Sequence, residues 1–126
     1  MMQTQRLLAT ALVLVPIAAN ADGLGLAIGG NYGSKEGCLY AKTGESSGAD
    51  TFMLLTPDSV TTSVSYCEFK KIVKTSGDSF TVSASCQAEG EDNGSDETMD
   101  ITRIDKSSYR ILFEDGTKLG PLKKCR

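Results

Sequence analysis

The chain has 126 residues, four cysteines, no histidine and a formal net charge of −3 at pH 7. So weak a negative charge argues against nucleic acid or an anionic membrane as a partner, because both attract basic surfaces. Without histidine, serine and cysteine triads lose their usual base, and the cysteines lack the C-x-x-C spacing of zinc sites. We therefore expect no cofactor, no catalytic residue and no enzymatic activity.

The first segment, residues 1–21, has the features of a cleaved signal peptide. Residues 1–6 carry one positive charge, residues 7–19 form an apolar run, and residues 19–21 match the small-x-small pattern of a secretory cleavage site. A single membrane anchor is the alternative, but the apolar run contains Pro16 and is shorter than the about 20 residues that a spanning helix needs. The mature chain, beginning at Asp22, is thus expected to be soluble, periplasmic or secreted, and not inserted in a membrane.

Residues 22–36 are expected to form a flexible, glycine-rich lead-in to a single domain at residues 37–126. The glycines superficially suggest a nucleotide-binding loop. However, Ile28 breaks the G-x-G-x-x-G spacing, and no strand precedes the segment in the mature chain. Glycine-rich segments of this kind behave as flexible coils.

After the lead-in, segments rich in alternating apolar and β-branched residues predict strands, and no segment predicts a convincing helix. The clearest strand is residues 80–88, where apolar residues alternate with polar ones. The other predicted strands are residues 37–42, 52–56, 60–74 (one long strand or two with a bend), 98–104, 109–113, and a weak last strand that Gly120-Pro121 interrupts. Proline there indicates a sheet edge or a closure point. About seven to eight short strands in sequential hairpins predict an all-β fold, a small antiparallel meander barrel.

Residues 66–87 predict a central hairpin with a two-residue loop at residues 76–77. This loop places Val73 opposite Phe80 on the apolar face of the ribbon, because side chains alternate between the two faces. Lys71 falls on the same apolar face. The mismatch indicates either a β-bulge or a lysine that snorkels at a sheet edge.

The four cysteines, an even number in a small exported chain, predict two disulfides. Their spacing alone leaves three connectivities open. The hairpin register places Cys67 opposite Cys86, within the Cα separation that a disulfide spans, and this leaves Cys38 to pair with Cys125. The second bridge would tie the first strand to the last, as a closed sheet requires.

The acidic segment at residues 89–97 has the composition of a ligand site. With Gly94 in the sixth place, six oxygen-bearing residues fall where a calcium loop places its ligands: Glu89, Glu91, Asn93, Ser95, Glu97 and Asp100. The first place holds Glu rather than Asp, and the flanking segments are predicted strands rather than helices. A solvated hairpin loop is therefore the alternative interpretation.

Several short motifs carry a resemblance to known proteins. They are Leu55-Thr56-Pro57-Asp58, Cys67-Glu68-Phe69, Cys86-Gln87-Ala88-Glu89-Gly90 and Cys125-Arg126. In these motifs, which span most of the chain after Gly37, the protein resembles a group of small exported proteobacterial proteins of unknown function. The expected architecture is also similar to that of periplasmic inhibitors of C-type lysozyme, which are small disulfide-bonded barrels. The resemblance implies an exported location and a barrel fold, and it implies no activity.

The function expected from these features is that of a periplasmic binding or interaction module. Its partner, a protein or a small ligand, would be recognised by loops on a rigid scaffold, where binding residues tend to concentrate. The alternative is an inhibitor of a host or rival hydrolase such as lysozyme, steered to a cationic enzyme by the acidic segment. A hydrolase that uses two carboxylates is the third hypothesis.

Overall fold

A computed structural model describes residues 24–126, which form a closed barrel of eight antiparallel strands in sequence order. The predicted signal peptide and its cleavage site lie outside the described residues. The elements are β1 (Tyr32–Gly33), α1 (Lys35–Thr43), β2 (Met53–Leu55), β3 (Ser59–Thr62), β4 (Ser65–Ser76), β5 (Ser79–Ala88), β6 (Ser95–Asp105), β7 (Ser108–Phe113) and β8 (Lys118–Lys124). The predicted all-β meander barrel is confirmed.

The barrel closes where β1 pairs with both β2 and β8. The last strand is continuous from Lys118 to Lys124, and the predicted interruption at Gly120-Pro121 is a register shift against β7. Gly120 has a φ of +124°, and a side chain there would meet the carbonyl oxygen of Tyr109. Because β8 also pairs with β1 at Lys123 and Lys124, two to three residues after Pro121, the expectation of a closure point near this proline is confirmed.

The interior is filled by inward-facing residues from all eight strands, as in other small barrels. The predicted alternation of β5 is confirmed, because Val82, Ala84 and Cys86 are buried whereas the residues between them are partly exposed. The region predicted as one strand or two is two strands, β3 and β4, joined by a tight turn at residues 63–64.

The β4–β5 hairpin confirms the predicted pairing at the cysteine end but not at the loop. Cys67 lies opposite Cys86 as expected, but Ser76 pairs with Ser79, so that the loop is residues 77–78 rather than 76–77. The reason is two register shifts, which insert extra residues of β4 on either side of Lys71. The bulge predicted at Lys71 is thereby confirmed.

The shifted register also corrects the predicted apolar face. Phe80 pairs with Thr75 rather than with Val73. Val73 is 56 % exposed and Ile72 is 39 % exposed, so the far end of β4 extends beyond the core.

Both predicted disulfides are present. Cys67 and Cys86 bridge neighbouring strands with their Cα atoms 4.0 Å apart, and Cys38 is joined to Cys125 at a Cα distance of 5.1 Å. The second bridge ties α1 to the residue after β8, and not the first strand to the last. Closure of the sheet itself comes from the pairing of β1 with β8.

The strand predicted at residues 37–42, and with it the prediction of no helix, is wrong, because this segment lies in α1. Ser34 caps the helix by accepting a hydrogen bond from the Gly37 N–H at 3.1 Å, and Gly44 ends it in the left-handed conformation with a φ of +77°. Gly37 is buried against β2, where a Cβ atom would collide with the Met53 carbonyl. The two helix caps, and the close packing of Gly37 against β2, therefore favour a helix over a strand in this segment.

The predicted flexible lead-in is also corrected, since its described part, residues 24–36, belongs to the barrel. Leu26 and Ile28 are 3 % and 2 % exposed and lie in the core. The Leu26 N–H donates to the Pro57 carbonyl at 2.8 Å, and the Gly25 N–H donates to Asp58 at the same distance. The segment covers one end of the barrel, which we call the base.

Two tyrosines complete the base. The rings of Tyr32 and Tyr109 meet edge to face with centroids 4.8 Å apart, and the Tyr32 hydroxyl donates to the Ile28 carbonyl at 2.7 Å. Arg103 donates to the Tyr109 hydroxyl at 2.9 Å. Burial raises the pKa of Tyr109 above its ordinary value. The base is therefore sealed by side chains whose polar atoms are satisfied.

The packing of Ile28 distinguishes a structural segment from a flexible one. We expect Ile28→Ala to lower the free energy of unfolding by about 2 to 5 kcal/mol, because it removes buried methyl groups from the core. Leu39→Ala, at a position that is 50 % exposed, is the matched control and should change it by less than about 0.5 kcal/mol. Urea denaturation with the disulfides intact measures both. Equal, negligible effects would show that residues 24–36 are the flexible lead-in after all.

Candidate functional site

The end of the barrel opposite the base, which we call the mouth, is formed by four connections. They are residues 50–52 before β2, 63–64 between β3 and β4, 89–94 between β5 and β6, and 114–117 between β7 and β8. The Glu89 N–H donates to the Val64 carbonyl at 2.7 Å, and the Ser63 hydroxyl donates to the Asp50 carbonyl at 3.3 Å. Backbone-directed hydrogen bonds thus tie neighbouring connections to one another.

A cavity of about 550 Å³ lies at the mouth. This volume is within the range of small-ligand sites, about 300 to 1,000 Å³. Its apolar lining comes from Phe52, Met53, Val64, Phe113 and Leu119, and its carboxylates are those of Asp50, Glu97 and Asp115. Five hydroxyl-bearing residues complete the lining, namely Thr51, Thr62, Ser63, Ser65 and Thr117. Apolar atoms supply most of the cavity surface, and this surface with its carboxylates suits a ligand that has an apolar body and a positive charge.

Of the three carboxylates that line the cavity, Glu97 is partly buried, whereas Asp50 and Asp115 are exposed. Glu97 pairs with Ala84 across β5 and β6 and has the inward parity of the buried Met99. A carboxylate oxygen of Glu97 lies within 4.8 Å of the sulfurs of the Cys67–Cys86 bridge. Because both sulfurs form the disulfide, neither is a thiolate that could bind a metal ion.

Glu97 has no hydrogen-bond or ion-pair partner within residues 24–126. The ion pairs of that part of the chain join Lys70 to Glu68 and Arg103 to Asp78, both away from the mouth. The Glu97 carboxylate oxygens are open to water, because every fully buried side-chain nitrogen or oxygen in the described residues has a hydrogen-bond partner. A cation entering the cavity would supply the missing partner.

Two other carboxylates of the mouth, those of Asp115 and Glu114, accept backbone hydrogen bonds. Asp115 accepts from the Thr117 N–H at 2.8 Å, and this bond holds the pKa of Asp115 below its ordinary value. Glu114 accepts from the Thr98 N–H at 2.6 Å. Both groups therefore add negative charge to the rim while stabilising the turns that carry them.

The rim is strongly acidic as a whole. The four stretches that form the mouth contain no lysine or arginine, although Lys35 and Lys42 lie in α1, earlier in the connection between β1 and β2. The acidic residues of the four stretches are Asp50, Glu89, Glu91, Asp92, Glu114 and Asp115. Like charges gathered around a concave surface raise the local concentration of oppositely charged ligands. The mouth should therefore attract cations although the chain as a whole is only weakly negative.

The six residues of the predicted calcium loop are spread over different surroundings. Residues 89–94 form the loop, whereas Ser95, Glu97 and Asp100 lie in β6. Asp100 accepts a hydrogen bond from the Thr81 hydroxyl at 2.7 Å on the outer face, opposite in parity to Glu97. In the described chain, the grouping of potential ligand atoms that includes Glu97 contains no other member of the six. The fold thus does not gather them around one ion.

Sequence reasoning singled out Glu97 and the acidic segment but missed the apolar lining. Val64 carried a usable signal, because it is a large apolar residue beside a turn, and it is 57 % exposed at the mouth. Phe113 and Leu119 gave no such signal, since both looked like ordinary strand residues. Only closure of the barrel brings them beside Phe52.

Comparisons of the chain with protein-family models, with curated proteins and with solved structures found no match in any of the three. Within residues 24–126, no helix combines the length and the apolar character needed to cross a membrane. Function is therefore inferred from the geometry of the mouth.

Proposed function

We propose that the protein is a binding module whose mouth takes a cationic group carried on an apolar stem. The observation that carries this proposal is Glu97, a partly buried carboxylate without a partner inside a cavity whose surface is mainly apolar. A cation placed there forms a charge-assisted hydrogen bond, the stronger kind of hydrogen bond in proteins. The stem of the ligand then covers the apolar lining.

The chemistry of such a ligand is that of a primary amine or a lysine side chain. A lysine has four methylene groups ending in an ammonium, so that its stem packs on apolar surface while its charge reaches a polar group. The acidic rim would steer a basic protein toward the mouth, an effect that acts mainly on the rate of association. A small amine and an exposed lysine of a partner protein are recognised by the same contacts.

The location proposed for this module is the periplasm or the extracellular space. Two disulfides support it, since such bonds form and persist in oxidising compartments and are rare in the cytosol. The group of exported proteobacterial proteins that the sequence resembles has the same expected location. That the chain is not an enzyme stays a prediction.

Binding of n-hexylammonium tests the proposal, with n-hexanol as an uncharged ligand that has the same stem. We expect hexylammonium to bind at least tenfold more tightly than hexanol, and Glu97→Gln to remove most of that difference. A hydrogen bond to a charged group contributes about 1.5 to 3 kcal/mol, which is tenfold or more in affinity. Isothermal titration calorimetry or a ligand-observed NMR titration gives the constants.

The matched control is Glu91→Gln, which removes one negative charge from the exposed loop and should change affinity by less than twofold. If the two ligands bind equally well, or if Glu97→Gln binds hexylammonium like the unmodified protein, the proposed role of Glu97 is wrong.

A second candidate, inhibition of a cationic hydrolase such as lysozyme, is favoured by the acidic rim. We expect micromolar protein to slow bacterial cell-wall lysis by C-type lysozyme, with an effect that weakens as salt screens the rim. The variant Glu89→Gln/Glu91→Gln/Asp92→Asn should weaken inhibition without disturbing the cavity. Full lysozyme activity in the presence of micromolar protein at low salt would rule out this candidate and leave the amine-binding proposal standing.

A further inference from the structure

A second concave surface lies on the side of the barrel, along the seam between α1 and β8. This seam groove has a volume of about 530 Å³ and is bordered by α1 on one side and by residues 121–126 on the other. The Cys38–Cys125 disulfide joins the two sides. The bridge holds α1 against the end of β8. The two sides of the groove are therefore covalently linked.

Five cationic side chains line the seam groove, and no acidic side chain does. The cations are Lys35, Lys42, Lys123, Lys124 and Arg126. Glu36, the acidic residue of α1, lies outside the lining and accepts a hydrogen bond from the Thr51 hydroxyl at 3.0 Å. Within residues 24–126, neither of the two ion pairs involves a groove cation. Their positive charges are therefore available to a ligand.

The net charge of the chain conceals this groove. Acidic residues are clustered at the mouth, whereas the five cations of the groove are clustered at the seam. We therefore expect the mouth to bind cations and the groove to bind anions. The two linings share no residue, although Ser34 of the groove accepts a hydrogen bond from the Met53 N–H of the mouth at 3.0 Å. The expectation of no nucleic acid and no anionic membrane as a partner was drawn from the net charge, and it applies to the chain as a whole and not to the seam.

The floor of the groove between these cations is apolar. Leu39 is 50 % exposed there, and Pro121 and the disulfide supply the rest of the apolar surface. A peptide bound along such a floor would bury backbone N–H and C=O groups without partners, which is unfavourable. A small inorganic anion would leave the floor uncovered. A ligand that combines an anionic head with an apolar tail satisfies both parts of the groove.

We propose that the seam groove binds a phosphate-bearing amphiphile, with its phosphate among the lysines and its apolar part against Leu39 and Pro121. Phosphate suits this setting because it offers several accepting oxygens to several cations at once, and lysine and arginine are the residues that commonly bind it. The groove and the mouth share no lining residue. This proposal can therefore be tested independently of the proposed amine-binding function.

The test uses short-chain dihexanoyl phosphatidylglycerol, dispersed below its micelle concentration, and dihexanoyl phosphatidylcholine as the zwitterionic comparison. We expect the anionic lipid to bind at least tenfold more tightly. Lys123→Glu/Lys124→Glu should weaken that binding at least tenfold. Lys71→Glu/Lys74→Glu changes the net charge equally on β4, far around the barrel from the seam, and should alter it by less than twofold. Thermal unfolding of each variant checks that the barrel remains intact.

Further ligands show whether the groove binds free phosphate, single lipid molecules or a membrane surface. Inorganic phosphate should bind at least tenfold more weakly than the anionic lipid, because it does not reach the floor. Capture of phosphatidylglycerol vesicles would assign the ligand to a membrane surface, and binding of dispersed lipid alone would assign it to single lipid molecules. Both outcomes support the proposal.

Four outcomes would overturn the proposal. They are equal binding of the two lipids, equal effects of the two double variants, phosphate binding as tightly as the anionic lipid, and tighter binding of a tetraglutamate peptide. The last would show that the groove recognises an acidic peptide instead.

Discussion

Closure of the sheet between β1 and β8 is the constraint on which the rest of the molecule depends. β1 contributes only Tyr32 and Gly33, yet both pair with β2 on one side and with β8 on the other. Without this short strand, β2 and β8 would be exposed edges, and unpaired edges promote association with other chains. Closure also creates an interior, and therefore two ends that can differ.

The two ends differ because the chain covers only one of them. Residues 24–28 and the paired tyrosines fill the base, whereas the mouth is bordered by short polar connections and keeps a cavity. The Cys67–Cys86 bridge lies beside Glu97 at the mouth, and the Cys38–Cys125 bridge holds α1 along the seam. Each disulfide therefore supports one of the two concave surfaces to which we assign a ligand.

The parts of the fold that the sequence predicted well depend on local patterns. The alternation of β5 and the opposition of Cys67 and Cys86 are properties of one hairpin, and both were predicted correctly. The hairpin loop was misplaced by one residue because bulges depend on packing outside the hairpin. The acidic segment was predicted as a loop over residues 89–97, but the loop covers only residues 89–94, because β6 begins at Ser95. In β6 the side chain of Asp100 lies on the face opposite to that of Glu97.

The parts that were predicted wrongly depend on contacts distant in sequence. In α1 only Gly37 is buried, so the segment lacks the apolar periodicity that identifies a helix, and the signal that remained was its caps at Ser34 and Gly44. Leu26 and Ile28 alternate with small residues in what resembled a linker. The N–H groups of Gly25 and Leu26 hold this segment against the β2–β3 turn by hydrogen bonds, and no local pattern reveals such contacts.

The most direct measurement of the central claim, that the mouth is the ligand-binding end of the barrel, is an amide NMR titration with n-hexylammonium. The expected result is a set of saturable shift changes confined to the mouth, centred on Val64, Glu97 and Phe113, with the amides of Leu26 and Tyr109 at the base unchanged. Changes centred on the base or spread evenly over the barrel would contradict that claim.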